Sequence, residues 1–389
     1  MIVSHIGLKN WRNFRSVQAS MDKRVFLVGP NACGKSNFLD AFRFLRDIAR
    51  PGGGLQKAVY DRGGVSKIRC LAARKEPEIE IEVHITNDTK DKPPWRYSVG
   101  IKQYPRGSRL PYLVHEKVYK GDEKILERPD AEDKKDDLRL TQTHLEQINA
   151  NAEFREIARF MESISYQHLV PQLLRHPEAF TGPGVPDDPF GQSFLERVAK
   201  TTRKTRESRL KKIESALQRA VPQLKNLSMA KDEAGVPHLA ALYAHWRPQG
   251  ARQQEDQFSD GTLRLIGLLW SLLEGESLLL LEEPELSLNT AIVRMLPVII
   301  YRLQKKKNLR RQVIISTHSP ELLSDSGIGG EEILLLTPRL EGTDVQPASA
   351  IKEVRELLEE GFTAAEAIIP RTEPPQLKKQ LEFGFLGNG

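Results

Sequence analysis

Cysteine is almost missing from this chain. Cys33 and Cys70 are the only 2 among 389 residues, which excludes a disulfide framework or a cysteine-built zinc site and makes a reducing cytoplasm the expected setting. Long apolar runs are missing too. The longest, Leu263–Leu273 and Ile292–Ile300, are too short to span a bilayer and each contains an arginine, so no transmembrane helix is expected. His5, Lys9, Arg12 and Arg15 come before any apolar block, so no secretory leader is expected either. No heptad repeat persists, which excludes extended coiled-coil arms. A large excess of one charge is also lacking: 58 basic against 52 acidic residues leaves +6, which permits nucleic-acid binding without requiring it. With 39% hydrophobic and 28% charged residues the composition is globular, and the length suggests about two or three folding units.

Two segments concentrate the positive charge. Lys200–Lys212 carries seven basic residues and one acid, and Arg302–Arg311 carries six basics and no acid. Each is read either as a contact for a phosphate backbone or as a solvated helix face.

Met1–Leu8 reads as a strand, and the apolar run Val25–Val28 stops at Gly29-Pro30. From Ser36 onward Phe38, Leu39, Phe42, Leu45 and Ile48 recur at helical spacing until Pro51, giving strand, glycine loop and helix. Glu78–Ile85 alternates acid and aliphatic, with Trp95–Ile101 and Leu113–Tyr119 as partner strands of an antiparallel sheet. Residues 121–226 look charged and helical, interrupted by the turn-dense Thr181–Pro189. A hairpin is expected around Asp232–Gly235. Helix Gly261–Leu273, strand Leu278–Leu281, a helix through Ile300, strand Val313–Ile315 and strand Ile333–Leu336 follow, an alternation that implies parallel strands covered by helices.

Gly29-Pro30-Asn31-Ala32-Cys33-Gly34-Lys35-Ser36 matches G-x-x-x-x-G-K-[ST] between a strand and a helix, the context a phosphate loop needs. The glycines let backbone N–H groups converge on phosphates at a helix N-terminus; Lys35 would bridge phosphate oxygens and the Ser36 hydroxyl would hold Mg²⁺. Asn37 completes the candidate nucleotide contacts together with Gly29, Asn31, Ala32, Cys33 and Gly34. Leu278–Leu281 ends in Glu282-Glu283, and a buried parallel strand delivers such residues to the ligand crevice. Glu282 would ligate Mg²⁺ and Glu283 would orient and deprotonate the attacking water. Cys33, at a helix N-terminus, is either a thiol of lowered pKa or simply a small side chain that the loop tolerates.

With LKNWRNFRS at the start, the loop GPNACGKS, the segment FSDGT, the acidic LLLLEEPELSLN and the histidine segment VIISTHSP in this order, the chain resembles the soluble ATP-binding-cassette branch that contains RecF, SMC-type heads and OLD-family ATPases. The resemblance covers both ends of the chain and is loose over residues 120–226. It implies an α/β fold: an ABC-type P-loop ATPase head with a mainly parallel core sheet, an antiparallel β lobe and a helical insertion. Residues 1–120 would form the N-terminal ATPase lobe with its β-rich subdomain and 121–226 the helical insertion. Residues 227–345 would form the C-terminal lobe with signature, acidic strand and histidine loop, and 346–389 a tail.

By the same resemblance, Ser259 and Gly261 contact the γ-phosphate of ATP held by a second copy, so that ATP joins two heads. Ser287-Leu288-Asn289 is the loop that faces across that dimer, and His318 touches the γ-phosphate. Arg12 and Asn13 approach the nucleotide or serve only the fold, and Gln167 is the metal-sensing glutamine. Two departures stand out: Asp260 and Thr262 replace the glycine and glutamine of L-S-G-G-Q, and Glu282 replaces the usual Asp. The activity implied is ATP hydrolysis with Mg²⁺, coupled to double-stranded DNA or to an effector in phage defence or DNA maintenance. About seventy residues follow His318, too few for a TOPRIM nuclease domain, so a TOPRIM-type nuclease is expected as a separate chain. The alternative is a DNA-binding scaffold that uses ATP as structural glue with negligible turnover.

Overall fold

The computed structural model describes residues 1–74, 76–86, 94–104, 109–177, 188–218, 220–244, 250–305 and 311–372. Residues 181–187 of the turn-dense stretch and 306–310 of the second basic run lie outside them. The chain divides into two compact units: Met1–Ile164 together with Gln312–Gly389, and Ser165–Arg311. No described helix is long and apolar enough to cross a membrane.

The first unit holds two sheets. One is antiparallel, with strand order β2-β1-β4-β5-β6-β7, from β1 (Ile2–Trp11), β2 (Phe14–Ser20), β4 (Ile79–Thr86), β5 (Trp95–Gln103), β6 (Pro111–Lys120) and β7 (Glu123–Arg128). The expected alternation is present: Ile79, Ile81, Val83 and Ile85 are buried, whereas Glu80, Glu82 and His84 between them are half-buried. β7 lies within the stretch expected to be helical. It pairs antiparallel with β6, and its Arg128 joins a buried cluster, 3.2 Å from Glu116 and 2.8 Å from Asp133.

The other strands of this unit are β3 (Arg24–Val28), β13 (Val313–Thr317), β14 (Ile333–Arg339) and β15 (Gly342–Pro347). β3 pairs in parallel with β13 and with β14, and β15 returns antiparallel on β14. All five residues of β3 are buried, as a strand covered on both faces requires. α1 (Lys35–Ala49) follows the glycine loop and buries Phe38, Leu39, Phe42, Leu45 and Ile48. Trp11 and Phe14 of the sheet ends pack on its Phe44 and Phe38, with ring centroids 5.2 and 6.0 Å apart. α10 (Lys352–Glu359) and α11 (Ala364–Thr372) close the described chain.

In the second unit β8 (Ser165–Gln167) pairs in parallel with β12 (Leu279–Glu282), with Gln167 opposite Leu281. α7 (Arg203–Leu217), α8 (Asp260–Leu273) and α9 (Thr290–Gln304) are its long helices. α8 is buried along nearly its whole length, Trp270 meeting Phe194 edge-on at 6.4 Å. The expected hairpin joins β9 (Leu224–Lys231) to β10 (Pro237–Tyr243), and β11 (Ala251–Gln254) adds a third strand.

The two basic segments differ. Arg311 is buried and donates to the Ser271, Glu274 and Ser277 carbonyls and to Ser165 Oγ, so it is no phosphate contact; burial lowers its pKa to about 10. On α7, Arg203 pairs with Glu207 and Arg206 donates to the Ala199 carbonyl, while Lys204, Lys211 and Lys212 stay exposed.

Candidate functional site

The glycine loop leaves the C-terminal end of β3 and turns into α1. Ala32 and Gly34 adopt positive φ, 62° and 102°. Glycine is required at both ends. A Cβ on Gly29 would stand 2.6 Å from the Leu336 carbonyl oxygen, and one on Gly34 would stand 2.2 Å from Asn13 Nδ2. Lys35 is buried and donates from Nζ to the Gly29 and Pro30 carbonyls at 2.9 and 3.2 Å, so its charge is folded over the loop. Cys33 is buried as well. Burial pushes its thiol up, against the pull of Lys35, so the lowered pKa that a helix N-terminus permits is not realised.

β13 lies beside β3 with Thr317 opposite Val28, so His318 and Gly29 both leave the sheet at the same edge, one residue further on. His318 is exposed there, and Ser319 shapes the turn: its N–H donates to Thr317 Oγ1 at 3.0 Å and its Oγ accepts from the Leu322 N–H at 3.2 Å.

Arg12 and Asn13 flank the loop from the turn after β1. The Arg12 guanidinium donates to Asp40 on α1 at 3.0 Å and to the Lys67 carbonyl at 3.2 Å. Asp40 is also held by Arg62, at 2.9 Å, and Arg62 reaches Asp47 at 2.9 Å. Burial alone would raise the Asp40 carboxyl, but Arg62, with Arg43 and Arg12, outweighs it and holds the carboxyl below the usual range. Asn13 touches the loop itself, donating to the Cys33 carbonyl at 2.7 Å and to Thr343 Oγ1 at 2.8 Å, and accepting from Asn37 at 2.9 Å.

In the second unit, Glu282 ends β12 and Glu283 follows it. Tyr166 donates its hydroxyl to Glu282, and His168 Nδ1 lies 3.2 Å from the Glu282 carbonyl. Glu283 has φ 44° and Ser287 φ 62°, both in the left-handed region that non-glycine residues seldom occupy outside functional turns. Gln167, one strand away, is buried, and its Oε1 has no hydrogen-bond partner among the described residues. A buried amide oxygen left that way costs stability unless a cation or its water takes it up, so its chemistry fits a hard divalent ion.

Ser259 caps α8, its Oγ accepting from the Thr262 N–H at 3.2 Å. Gly261 must be glycine, since a Cβ there would meet the Ser287 carbonyl oxygen at 2.7 Å. Asp260, the acid that replaces a glycine, is offset by Arg175 at 2.6 Å and by Gln172 at 3.0 Å. Arg264, the residue that interrupts the apolar run of α8, is buried. It donates to the Leu169 carbonyl, and burial lowers its pKa against the opposing pull of Glu285, Glu283 and Asp260. Arg264 was visible as a charge inside an apolar run; Tyr166, Arg175 and Thr343 had no comparable mark.

This geometry matches known structures at the level of fold. An SMC head bound to the C-winged helix domain of ScpA superposes with TM-score 0.52 and 14% identity over 89% of this chain and 98% of that one. An SMC head domain with an extended coiled coil derived from Pyrococcus furiosus, bound to the C-terminal domain of ScpA, gives 0.51 and 14% over 92% and 99%. The chain therefore has the fold of SMC-type P-loop ATPase heads, with mixed parallel and antiparallel sheets. Residues 24–324 match the family described as "AAA domain, putative AbiEii toxin, Type IV TA system", and the chain belongs to that family. Endonuclease GajA of Bacillus cereus (strain VD045) is 35% identical over 92 residues, 24% of this chain, and the match spans 14% of that relative's length.

Proposed function

We propose that this chain is an ATPase whose ATP-bound heads associate in pairs and whose hydrolysis drives an effector that acts on DNA. The observation that carries the reading is the preformed phosphate loop, with Gly29 and Gly34 admitting no side chain and Lys35 buried over it. The similarity to endonuclease GajA supports the DNA effector, which we take to be a nuclease on a separate chain.

Within this reading each residue has a task. Lys35 and the loop amides from Asn31 to Ser36 hold the phosphates, and His318, at the same sheet edge, contacts the terminal one. Ser36, Glu282 and Gln167 would hold Mg²⁺, which supplies charge neutralisation when bound. Tyr166, donating to Glu282, fixes that carboxylate's orientation. Glu283 accepts the proton of the attacking water. Ser259 and Gly261 offer the α8 N-terminus to the nucleotide of a second copy. Residues 1–120, 121–226, 227–345 and 346–389 retain their proposed parts as lobe, insertion, lobe and tail.

The scaffold alternative is motivated by the substituted signature, with Asp260 and Thr262, and by the two basic segments. Arg175 offsets the Asp260 charge, which weakens the first of these grounds. Glu283→Gln decides between the two: phosphate release should fall by roughly two to four orders of magnitude while nucleotide binding and ATP-dependent pairing persist. Turnover unchanged from the wild type would refute the assignment of Glu283; negligible wild-type turnover with and without DNA would favour the scaffold.

A further inference from the structure

We infer that Thr343, at the start of β15, is a positioning residue for the phosphate loop and that, with Asn13, it sets the affinity for nucleotide; this rests on the reading of the loop as the phosphate site. The Cys33 carbonyl accepts two hydrogen bonds, one from Asn13 Nδ2 at 2.7 Å and one from Thr343 Oγ1 at 2.9 Å. Asn13 Nδ2 also donates to Thr343 Oγ1 at 2.8 Å. The three groups thus close a triangle in which the Cys33 carbonyl accepts from both side chains.

The triangle is itself anchored. The Thr343 N–H donates to the Asn13 carbonyl at 2.8 Å, and Gly342, with φ 137°, could carry no Cβ, which would fall 2.6 Å from that same oxygen. Asn13 Oδ1 accepts from Asn37 Nδ2, and the Asn37 carbonyl accepts from Trp11 Nε1 at 2.8 Å, so the clamp also grips the first turn of α1. Thr343 and Cys33 are both buried.

The consequence for the loop is directional. The peptide bond is planar, so the oxygen of Cys33 and the N–H of Gly34 point in opposite directions. Fixing the oxygen from behind fixes where the Gly34 amide, just ahead of α1, points before any phosphate arrives. Preorganised donors bind without a reorganisation cost, so loosening this peptide weakens ground-state binding more than the chemical step.

Thr343→Val keeps the shape and removes both the donor and the acceptor. The expected result is a Kd for a non-hydrolysable ATP analogue, and a KM for ATP, raised about five- to tenfold, with kcat within about twofold. Thr343→Ser, which keeps the hydroxyl, should restore binding. A folded Thr343→Val protein with wild-type Kd overturns the proposal, and so does a Ser variant as weak as Val. If the Val variant does not fold, the smaller Thr343→Ala carries the same comparison. Lys35→Ala separates the two levels: wild-type binding in that variant sinks the nucleotide reading itself, whereas loss of binding there with none in Thr343→Val sinks only the clamp.

Discussion

The glycine loop and the acidic end of β12 are both turns that follow a buried parallel strand, yet they are held in different ways. Around the loop, Asn13, Thr343 and Lys35 close a set of matched hydrogen bonds drawn from both ends of the chain. At the acidic turn, Tyr166 braces one carboxylate, the buried Gln167 Oε1 has no partner among the described residues, and Glu283 sits at positive φ. Under the proposed reading, the loop is a cradle for an anion, finished before its ligand arrives, and the Gln167 oxygen is kept for a cation.

The hydrolysis test at Glu283 is the largest expected effect and bears on the reserve side. On the finished side, Arg62→Met leaves Asp40 and Asp47 with less compensating charge beneath the loop. It should cost about 3 kcal/mol in urea unfolding, the usual penalty for stripping one partner from a buried ion pair. A loss below about 1 kcal/mol would mean that this network does not stiffen the loop.

Gln167→Leu should do the reverse. It removes a buried amide without its oxygen partner, so thermal stability should hold, while the concentration of Mg²⁺ needed for half-maximal turnover rises about tenfold. Lower stability with an unaltered Mg²⁺ requirement would show that Gln167 belongs to the packing.

The smallest effect is a difference in sign with pH. Asp40 has a carboxyl held below its ordinary value, so its contribution is present above that value and is lost as pH falls through the lowered one. His238 is raised, chiefly by its hydrogen bond to Glu255, against burial; its contribution is full below about pH 6.5 and is lost as pH rises through the raised value. The gap in Tm between wild type and His238→Gln should therefore narrow between pH 6 and 8.5, by about a degree, for this partly exposed histidine on a buried carboxylate. For Asp40→Asn the gap should narrow on the acid side instead. A parallel response of both variants would break the contrast.

Much of this was legible beforehand because the motifs are contiguous. GPNACGKS, the run into Glu282-Glu283 and the alternation of Glu78–Ile85 each declare their conformation within about ten residues, and the observed strands and helices follow them. β8 was not legible: three residues have no periodicity, and Ser165–Gln167 is a strand only because β12 offers it a ladder. Nor could the acid in FSDGT be judged alone, since Arg175, 85 residues away in the chain, offsets its charge from 2.6 Å.

Local chemistry on its own decided where the chain turns for a phosphate, which strand ends in acids and which stretches are core, because glycine, helix spacing and burial patterns act over a few residues. Which side chains brace those turns was decided by the fold alone. Thr343 stands 310 residues from the carbonyl it holds, and Tyr166 stands 116 from its carboxylate. Hydrogen bonds reach only about 3 Å, and nothing in a linear order says which distant atoms a sheet will bring within that reach.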